Sequence, residues 1–312
     1  MPGEISLEYL PEPLLDCPLC GSKERDILFQ EENKFAYAHA AWSYLNSYPV
    51  SVARCRGCSF GFTAELPPTA FFEKVLYSPP VDAPVPAEPS QASGKDFIFH
   101  GVLELLEAHG AKGCLVDLGA CNGRFLWHAK AKFSPALGIE NDPIASALAA
   151  RHGIEIRVGG ILSTIAQAPK ADIITLIDVL EHLPNPRAHL EATFHCLKPN
   201  ALLYVKVPRL EGQAFKEQLL ERLGFRKSKM AINYVHINHF TLNSLTQVLQ
   251  KIGFRIEHAQ IARPELYDWQ QGGVRGWTSN IVRLGHYFFS RALFSLTKIN
   301  LGLNIEVLAR KK

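Results

Sequence analysis

The chain has 312 residues, 47% of them hydrophobic and 20% charged, with 33 basic against 30 acidic side chains and a formal net charge of +3. This is the make-up of an ordinary globular protein, so long disorder and fibrous architectures are excluded, and the charge balance gives no global pull towards nucleic acid. A chain of this length predicts about two domains, or one of about 200–250 residues with an appendage.

The opening stretch, MPGEISLEYLPEP, has neither a basic n-region nor an apolar h-region. No signal peptide is therefore expected, and a cytoplasmic location follows. Seven cysteines come next into view, four of them in two pairs, Cys17-Pro-Leu-Cys20-Gly21 and Cys55-Arg-Gly-Cys58. Each CxxC knuckle can turn two thiolates to one point, and four thiolates form a closed tetrahedral metal site. Gly21 suits the tight turn after the first knuckle. The gap between the knuckles is long, so something folded should lie within it. Disulfides fit poorly with a chain lacking an export signal. An S4 set selects zinc or iron, so zinc is the expected ion and mononuclear iron stays open. With so little apolar periodicity around it, the metal reads as structural, supplying on the order of 10 kcal/mol of folding free energy. Cys114, Cys121 and Cys196 are isolated and are expected to be buried or packed.

Residues 78–94 read SPPVDAPVPAEPSQASG, a proline-, alanine- and serine-rich linker or extended crossing segment. Strands and helices then alternate. The periodicity predicts a helix over Asp96–His109, a strand over Cys114–Leu118, a helix over Gly123–Lys132, a strand over Ala136–Glu140, a helix over Pro143–His152 and a strand over Ile154–Val158. A strand over Asp172–Asp178, a helix over Pro186–Leu197 and a strand over Ala201–Val207 follow. The tail adds a helix near Leu242–Ile252, a strand over Phe254–Ile261, a long helix near Asn280–Lys298, with its aromatic stretch HYFFSRALF expected to pack on the sheet, and a strand over Ile305–Ala309. Arg283, His286, Arg291 and Lys298 interrupt the longest apolar run, so no bilayer span is expected. Such alternation means a mostly parallel, doubly wound α/β sheet. The expected organisation is a metal-binding module over 1–77, a linker over 78–94 and the sheet domain over 95–312.

The first strand hands over to its helix through Asp117-Leu118-Gly119-Ala120-Cys121-Asn122-Gly123. Ligands of open α/β sheets bind at such strand ends, and an acidic residue there suits a cationic ligand better than a phosphate. Glu140 ends the next strand, where a carboxylate can accept two ribose hydroxyls. Asp178-Val-Leu-Glu181-His182-Leu and Leu197-Lys-Pro-Asn follow in order.

Taken together, residues 114–208 resemble a class I S-adenosylmethionine-dependent methyltransferase of the ubiquinone-methyltransferase-like type. The family carries a DxGxGxG loop, an acidic second-strand end, a D-V-L-E-H-L segment and an L-K-P-G-G turn. The resemblance implies a Rossmann-like seven-stranded sheet and S-adenosylmethionine as cofactor. It implies that Asp117 and the Gly119–Gly123 loop, with Cys121 in place of a glycine, cradle the methionine part. Glu140 would hold the ribose diol and Asn141 would lie beside the adenine. Asp178 and Val179 would line the methionine end, with His182 near the transfer pocket. Val158–Leu162 lacks the acid that often contacts the adenine amine.

Transfer to a hydroxyl or carbon also needs a base. Tyr234-Val235-His236-Ile237-Asn238-His239-Phe240-Thr241 resembles a segment of zinc-containing sugar C-methyltransferases, which implies His236 as base and His239 as a second candidate. Val235 stands where that group has a glutamate, so carbonyl-sugar chemistry does not follow automatically. No [DNS]-P-P-[YF] segment follows the fourth strand, which disfavours planar exocyclic nitrogens. The expected acceptor is a small metabolite: a sugar, a glycan or a natural-product intermediate. A macromolecular acceptor recruited by the zinc module, supported by the basic run Phe225–Met230, is the alternative, with a non-catalytic cofactor-binding protein as a third.

Overall fold

The computed structural model describes residues 11–32, 49–72, 87–209, 211–212, 222, 224, 236–267 and 273–312. The basic run Phe225–Met230, the pair Tyr234-Val235 and residues 78–86 of the proline-rich segment lie outside them.

The front segment forms β1 (Glu12–Pro13), β2 (Arg25–Glu32), β3 (Pro49–Cys55), β4 (Gly61–Thr63) and β5 (Glu65–Leu66). Beyond the proline-rich segment come α1 (Asp96–Ala108), β6 (Leu115–Leu118), α2 (Arg124–Ala129), β7 (Ala136–Glu140), α3 (Pro143–Arg151), β8 (Glu155–Val158), α4 (Ile161–Ile165) and β9 (Ala171–Ile177). A 3-10 turn over Leu180–His182 leads to α5 (Pro186–Cys196), β10 (Leu197–Pro208), β11 (Asn238–His239), α6 (Leu242–Ile252), β12 (Phe254–Ile261), α7 (Gly273–Thr297) and β13 (Asn304–Lys311).

Seven of these strands make one sheet in the order β12-β13-β10-β9-β6-β7-β8. β6, β7, β8, β9 and β10 run parallel, and β13 inserts antiparallel between β10 and β12. The central strands are near-continuous buried runs, such as Leu115-Val116-Asp117-Leu118, because helices cover both faces. On one face α1 buries Ile98, Phe99, Val102, Leu103 and Leu106, with Phe97 and Leu105 half-buried at the edge. On the other, α6 buries Leu245, Val248 and Leu249 and begins at a reciprocal Thr241–Ser244 capping box. From β6 the chain winds one way to β7 and β8, then returns to β9 on the opposite side. The reversal leaves a crevice at the carboxyl ends of β6 and β9.

The front segment adds a second sheet, ordered β11-β4-β3-β2. Its fourth strand comes from the far half of the chain: Asn238 pairs with Phe62 and His239 with Gly61, and the Thr63 N–H donates to the Ile237 carbonyl at 2.9 Å. Leu19, Phe60 and Phe62 share one core with Phe240, Leu245 and Val248. The described end of the proline-rich segment is tied down as well, since Asn122 Nδ2 donates to the Ala87 carbonyl at 2.7 Å and Arg124 to the Pro89 carbonyl at 2.8 Å.

Two expectations are corrected. Cys114 and Cys196 are buried, but Cys121 is exposed, because it sits at the tip of the β6–α2 turn at φ +49°. In the HYFFSRALF stretch of α7 Tyr287 and Ser290 are buried and Arg291, Leu293 and Phe294 are half-buried, while Phe288 and Phe289 face outward. Among the described residues, no helix is long and apolar enough to cross a membrane.

Candidate active site

A cavity of about 470 Å³ opens at the crevice between β6 and β9, within the size range of small-molecule sites. Its walls come from five places. Gly119 follows β6, Glu140 and Asn141 end β7, and Gly159 to Ser163 connect β8 with α4. Asp178, Val179, His182 and His189 come from the segment after β9 and from α5, and Thr69 and Phe72 come from the front segment.

Glycine is required at 119 for two reasons. Its φ is +73°, and a Cβ there would lie 2.6 Å from Val179 Cγ2. Gly123, at φ +76°, precedes α2, where a Cβ would press on Ala149 at 3.0 Å and Ile154 at 3.1 Å. Gly123 thus packs the turn and does not line the cavity. Glu140 closes the same turn from β7. One carboxylate oxygen accepts the Cys121 N–H at 2.8 Å, and the other accepts those of Asn141 at 2.7 Å and Asp142 at 3.0 Å. These bonds fix the carboxylate at the cavity wall. Cys121 contributes its backbone N–H to this turn and is not among the residues that line the cavity.

Asp117 sits inside the sheet rather than on the cavity wall. Its carboxylate accepts the Thr175 hydroxyl at 2.5 Å. Burial pushes its pKa up to about 7, against the lowering effect of that hydrogen bond.

Asp178 ends β9 in the left-handed region, at φ +57°. Its carboxylate faces the cavity and accepts Lys206 Nζ at 2.5 Å, with Lys95 Nζ at 3.9 Å. Burial works to raise this carboxyl, but the two ammonium groups outweigh it and hold it below the ordinary carboxylate range. The neighbouring Glu181 is fully buried. Burial first, and the Asp178 charge second, push it up to about 8, and its Oε2 has no hydrogen-bond partner among the described residues.

Of the three histidines singled out, His182 lines the cavity. The His236 ring lies 4.8 Å from it, centroid to centroid. His239 is deeper, on β11, with Nε2 buried and unpartnered among the described residues. Burial lowers His236 to about 4, helped by His182, and lowers His239 to about 4, helped by His236. Both are neutral imidazoles at neutral pH.

The four paired cysteines converge at a separate point. Cys17 Sγ lies 3.8 Å from Cys58 Sγ, Cys20 Sγ lies 3.5 Å from Cys55 Sγ, and all four are within 4.8 Å of one another. Tetrahedral zinc with bonds of about 2.3 Å sets its sulfurs about 3.8 Å apart, so the donor set fits. The two knuckles are built alike. The Gly21 N–H donates to Cys17 and the Ser59 N–H to Cys55, both at 2.9 Å, with φ +75° and +62° at the turning residue.

Sequence reasoning did not find Thr69, Phe72 or Lys206, and it considered Val158–Leu162 only for the acid it lacks, whereas Gly159 to Ser163 form a wall of the cavity. The dipeptide Gly159-Gly160 at a strand end signals a turn on the ligand-binding edge. A lysine in the apolar run Leu202-Leu203-Tyr204-Val205-Lys206-Val207 signals a buried charge that needs a partner.

Residues 91–259, more than half of the chain, match a family described as a methyltransferase domain. No functionally curated protein matches the chain. Among solved structures, an S-adenosylmethionine-dependent methyltransferase from Archaeoglobus fulgidus is similar at 13% identity and a TM-score of 0.46, over 70% of this chain and 94% of that one. Magnesium protoporphyrin IX methyltransferase from Synechocystis PCC 6803 is similar at 13% identity and 0.47, over 70% and 84%. The N-methyltransferase NodS from Bradyrhizobium japonicum is similar at 13% identity and 0.45, over 71% and 89%. By the match over residues 91–259 and the seven-stranded sheet that carries it, the chain belongs to the methyltransferase-domain family and is an enzyme of that class.

Proposed function

We propose that the chain is an S-adenosylmethionine-dependent methyltransferase of the cytoplasm acting on a small metabolite, a sugar, glycan or natural-product intermediate. The observation that carries this reading is the composition of the cavity. A diol-accepting carboxylate, Glu140, and a glycine floor, Gly119, face Asp178, His182 and the Thr69–Phe72 wall across about 470 Å³.

The residues fit the cofactor by their chemistry. Gly119 leaves the cavity edge bare beside Val179, where a Cβ would not fit, Glu140 keeps acceptor capacity beyond its three N–H bonds, and Asp178 offers negative charge to a cationic ligand. Asn141 and the Ile161–Leu162 stretch flank the diol end. When bound, S-adenosylmethionine supplies a methyl group on a positively charged sulfur. The chain's own contribution is chiefly placement, since aligned reactants can remove several kcal/mol of barrier. His182 and His236, with neutral His236 behind, form a relay that can accept a proton from an acceptor hydroxyl or acidic carbon. His239 holds the inner end of that pair. Asp117, Cys121 and Gly123 keep the loop in shape from behind.

Zinc on Cys17, Cys20, Cys55 and Cys58 has four protein ligands and therefore a structural role. It joins the knuckles of a front module, residues 1–77, whose β4 lies against His239 and whose Phe72 closes the acceptor side of the cavity. Residues 95–312 form the catalytic part and 78–94 the crossing between them.

The test is S-adenosylhomocysteine release across nucleotide sugars, glycans and phenols, using wild type and His182→Ala. Turnover on one class, lost in the variant while cofactor binding is kept, is the expected result. Turnover on RNA or protein alone would overturn the small-acceptor reading.

A further inference from the structure

The turn that carries His182 does not hold itself. It is a single 3-10 turn, Leu180–His182, and the bond that closes it, from the Leu183 N–H to the Leu180 carbonyl, is long at 3.4 Å. Such turns have poorer hydrogen-bond geometry than an α-helix. Their carbonyls need partners from outside, because a buried peptide group left unpaired costs about as much as a lost hydrogen bond. Here the partners come from the far half of the chain. Asn238 is 3% exposed, and its Nδ2 donates to the Leu180 carbonyl at 2.8 Å and to the Leu183 carbonyl at 2.6 Å. Between them, the Glu181 carbonyl accepts the Ile237 N–H at 2.9 Å. A carbonyl only accepts, so the Asn238 amide presents its NH2 group to the turn and spends both protons there.

The same two residues are gripped from the other side by the front segment. Asn238 pairs with Phe62, and the Ile237 carbonyl accepts the Thr63 N–H at 2.9 Å. That strand, β4, starts at Gly61, just beyond the knuckle that ends in Cys58. His236 is next in line, with its ring 4.8 Å from that of His182. Residues 236–238 therefore join three parts: the edge of the front sheet, the 3-10 turn and the histidine pair at the cavity.

We infer that Asn238 is a positioning residue, whose amide clamps the Leu180 and Leu183 carbonyls so that the front sheet fixes where His182 stands against His236. Neither Asn238 nor Ile237 lines the cavity, so the effect passes through His182, which does. The front segment then does more than wall the cavity: it sets the geometry of the pair that handles the proton. This deepens the proposed reaction and rests on the reading of His182 as proton acceptor, but its test needs no methyl acceptor.

The test is long-range 1H–15N spectroscopy of the histidine rings in the full-length protein, with His182 and His236 assigned through His182→Gln and His236→Gln. In wild type, loss of either ring should shift the signals of the other, and S-adenosylhomocysteine should shift those of His182. Asn238→Asp keeps the size of the side chain but turns an acceptor towards two acceptors. It should lose both shifts while S-adenosylhomocysteine affinity stays within about threefold. Asn238→Ser, which keeps one donor, should lose them in part, and it serves if Asn238→Asp does not fold. Leu103→Ala, a cavity on the opposite face of the sheet, supplies a comparable or larger loss of stability with the clamp intact and should keep both shifts. Unchanged shifts in both Asn238 variants would overturn the inference, leaving the amide a merely stabilising role. Loss of the shifts in Leu103→Ala as well would overturn it too. A wild type that binds no S-adenosylhomocysteine would sink the cofactor reading, and the mutual shift of the two rings would still decide the clamp.

Discussion

Replacing Lys206 with Met removes the partner of a cavity-facing carboxylate while keeping the length of the side chain. The Lys206 side chain is 3% exposed and that of Asp178 is 21%, and they meet at 2.5 Å on adjacent parallel strands. Removing one partner of a buried pair costs about 3–5 kcal/mol, because the other charge is left without compensation. Asp178 borders the cavity and keeps Lys95 at 3.9 Å, so the expected loss is at the lower end, about 3 kcal/mol at pH 7. That corresponds to a fall of about 6–12 °C in melting temperature for a chain of this size. The pH dependence follows from the sign of the shift. The folded pKa of Asp178 is depressed, so the pair's stabilisation is present above the unfolded carboxylate pKa and is lost as pH falls through the folded one. In the variant the carboxyl protonates readily, so its gap to wild type should narrow from pH 7 to pH 4. Lys206→Met/Asp178→Asn should regain most of the loss. Urea melts of the three proteins across that range are the assay. Full stability of Lys206→Met, or a gap that is constant with pH, would refute the reasoning.

Atomic emission should find one zinc per chain, and Cys58→Ser should lose the metal together with several kcal/mol of stability; a metal-free protein of unchanged melting temperature would contradict the knuckle assignment. Ser59 holds a left-handed φ of +62° at the position that Gly21 occupies in the other knuckle. Ser59→Gly should therefore stabilise by up to about 1 kcal/mol, and Gly21→Ala should destabilise by about 1–2 kcal/mol, as read by denaturant melts. His239 is neutral in the folded state down to about pH 4. The unfolded histidine takes up a proton below about pH 6.5, so wild type should lose up to about 3 kcal/mol between pH 6.5 and 4 through this residue alone. His239→Asn should flatten that slope, and a parallel slope in the two proteins would show that the ring protonates freely.

The alternation of β6 to β10 with their helices was legible because β6, β7, β9 and β10 carry buried, largely apolar runs, while the exposed edge strand β8, Glu155-Ile-Arg-Val158, was marked by its place between a helix and the Gly159-Gly160 turn. Helix α6 and strands β7 and β12 fall at their expected residues. The front sheet was not legible, since its fourth strand, Asn238–His239, arrives from the other end of the chain, and a two-residue strand has no periodicity to read. The cofactor-loop glycines were found because φ and crowding both demand glycine there. Phe72 was missed because a wall supplied by a remote segment leaves no local pattern. Lys206 was missed because a charge inside a strand is read as a flaw until its partner, Asp178, is seen beside it. The aromatic helix α7 was expected to face inward, because apolar content alone does not say which side of a helix a protein uses.

The central claim is that this cavity binds S-adenosylmethionine through Glu140 and Gly119. Calorimetric titration of the full-length protein with S-adenosylmethionine and S-adenosylhomocysteine tests it most directly. One site per chain is expected for each ligand, with affinity reduced about tenfold or more in Glu140→Ala, which removes a charge-assisted pair of hydrogen bonds. No heat from either ligand, or equal affinity in wild type and Glu140→Ala, would contradict the account.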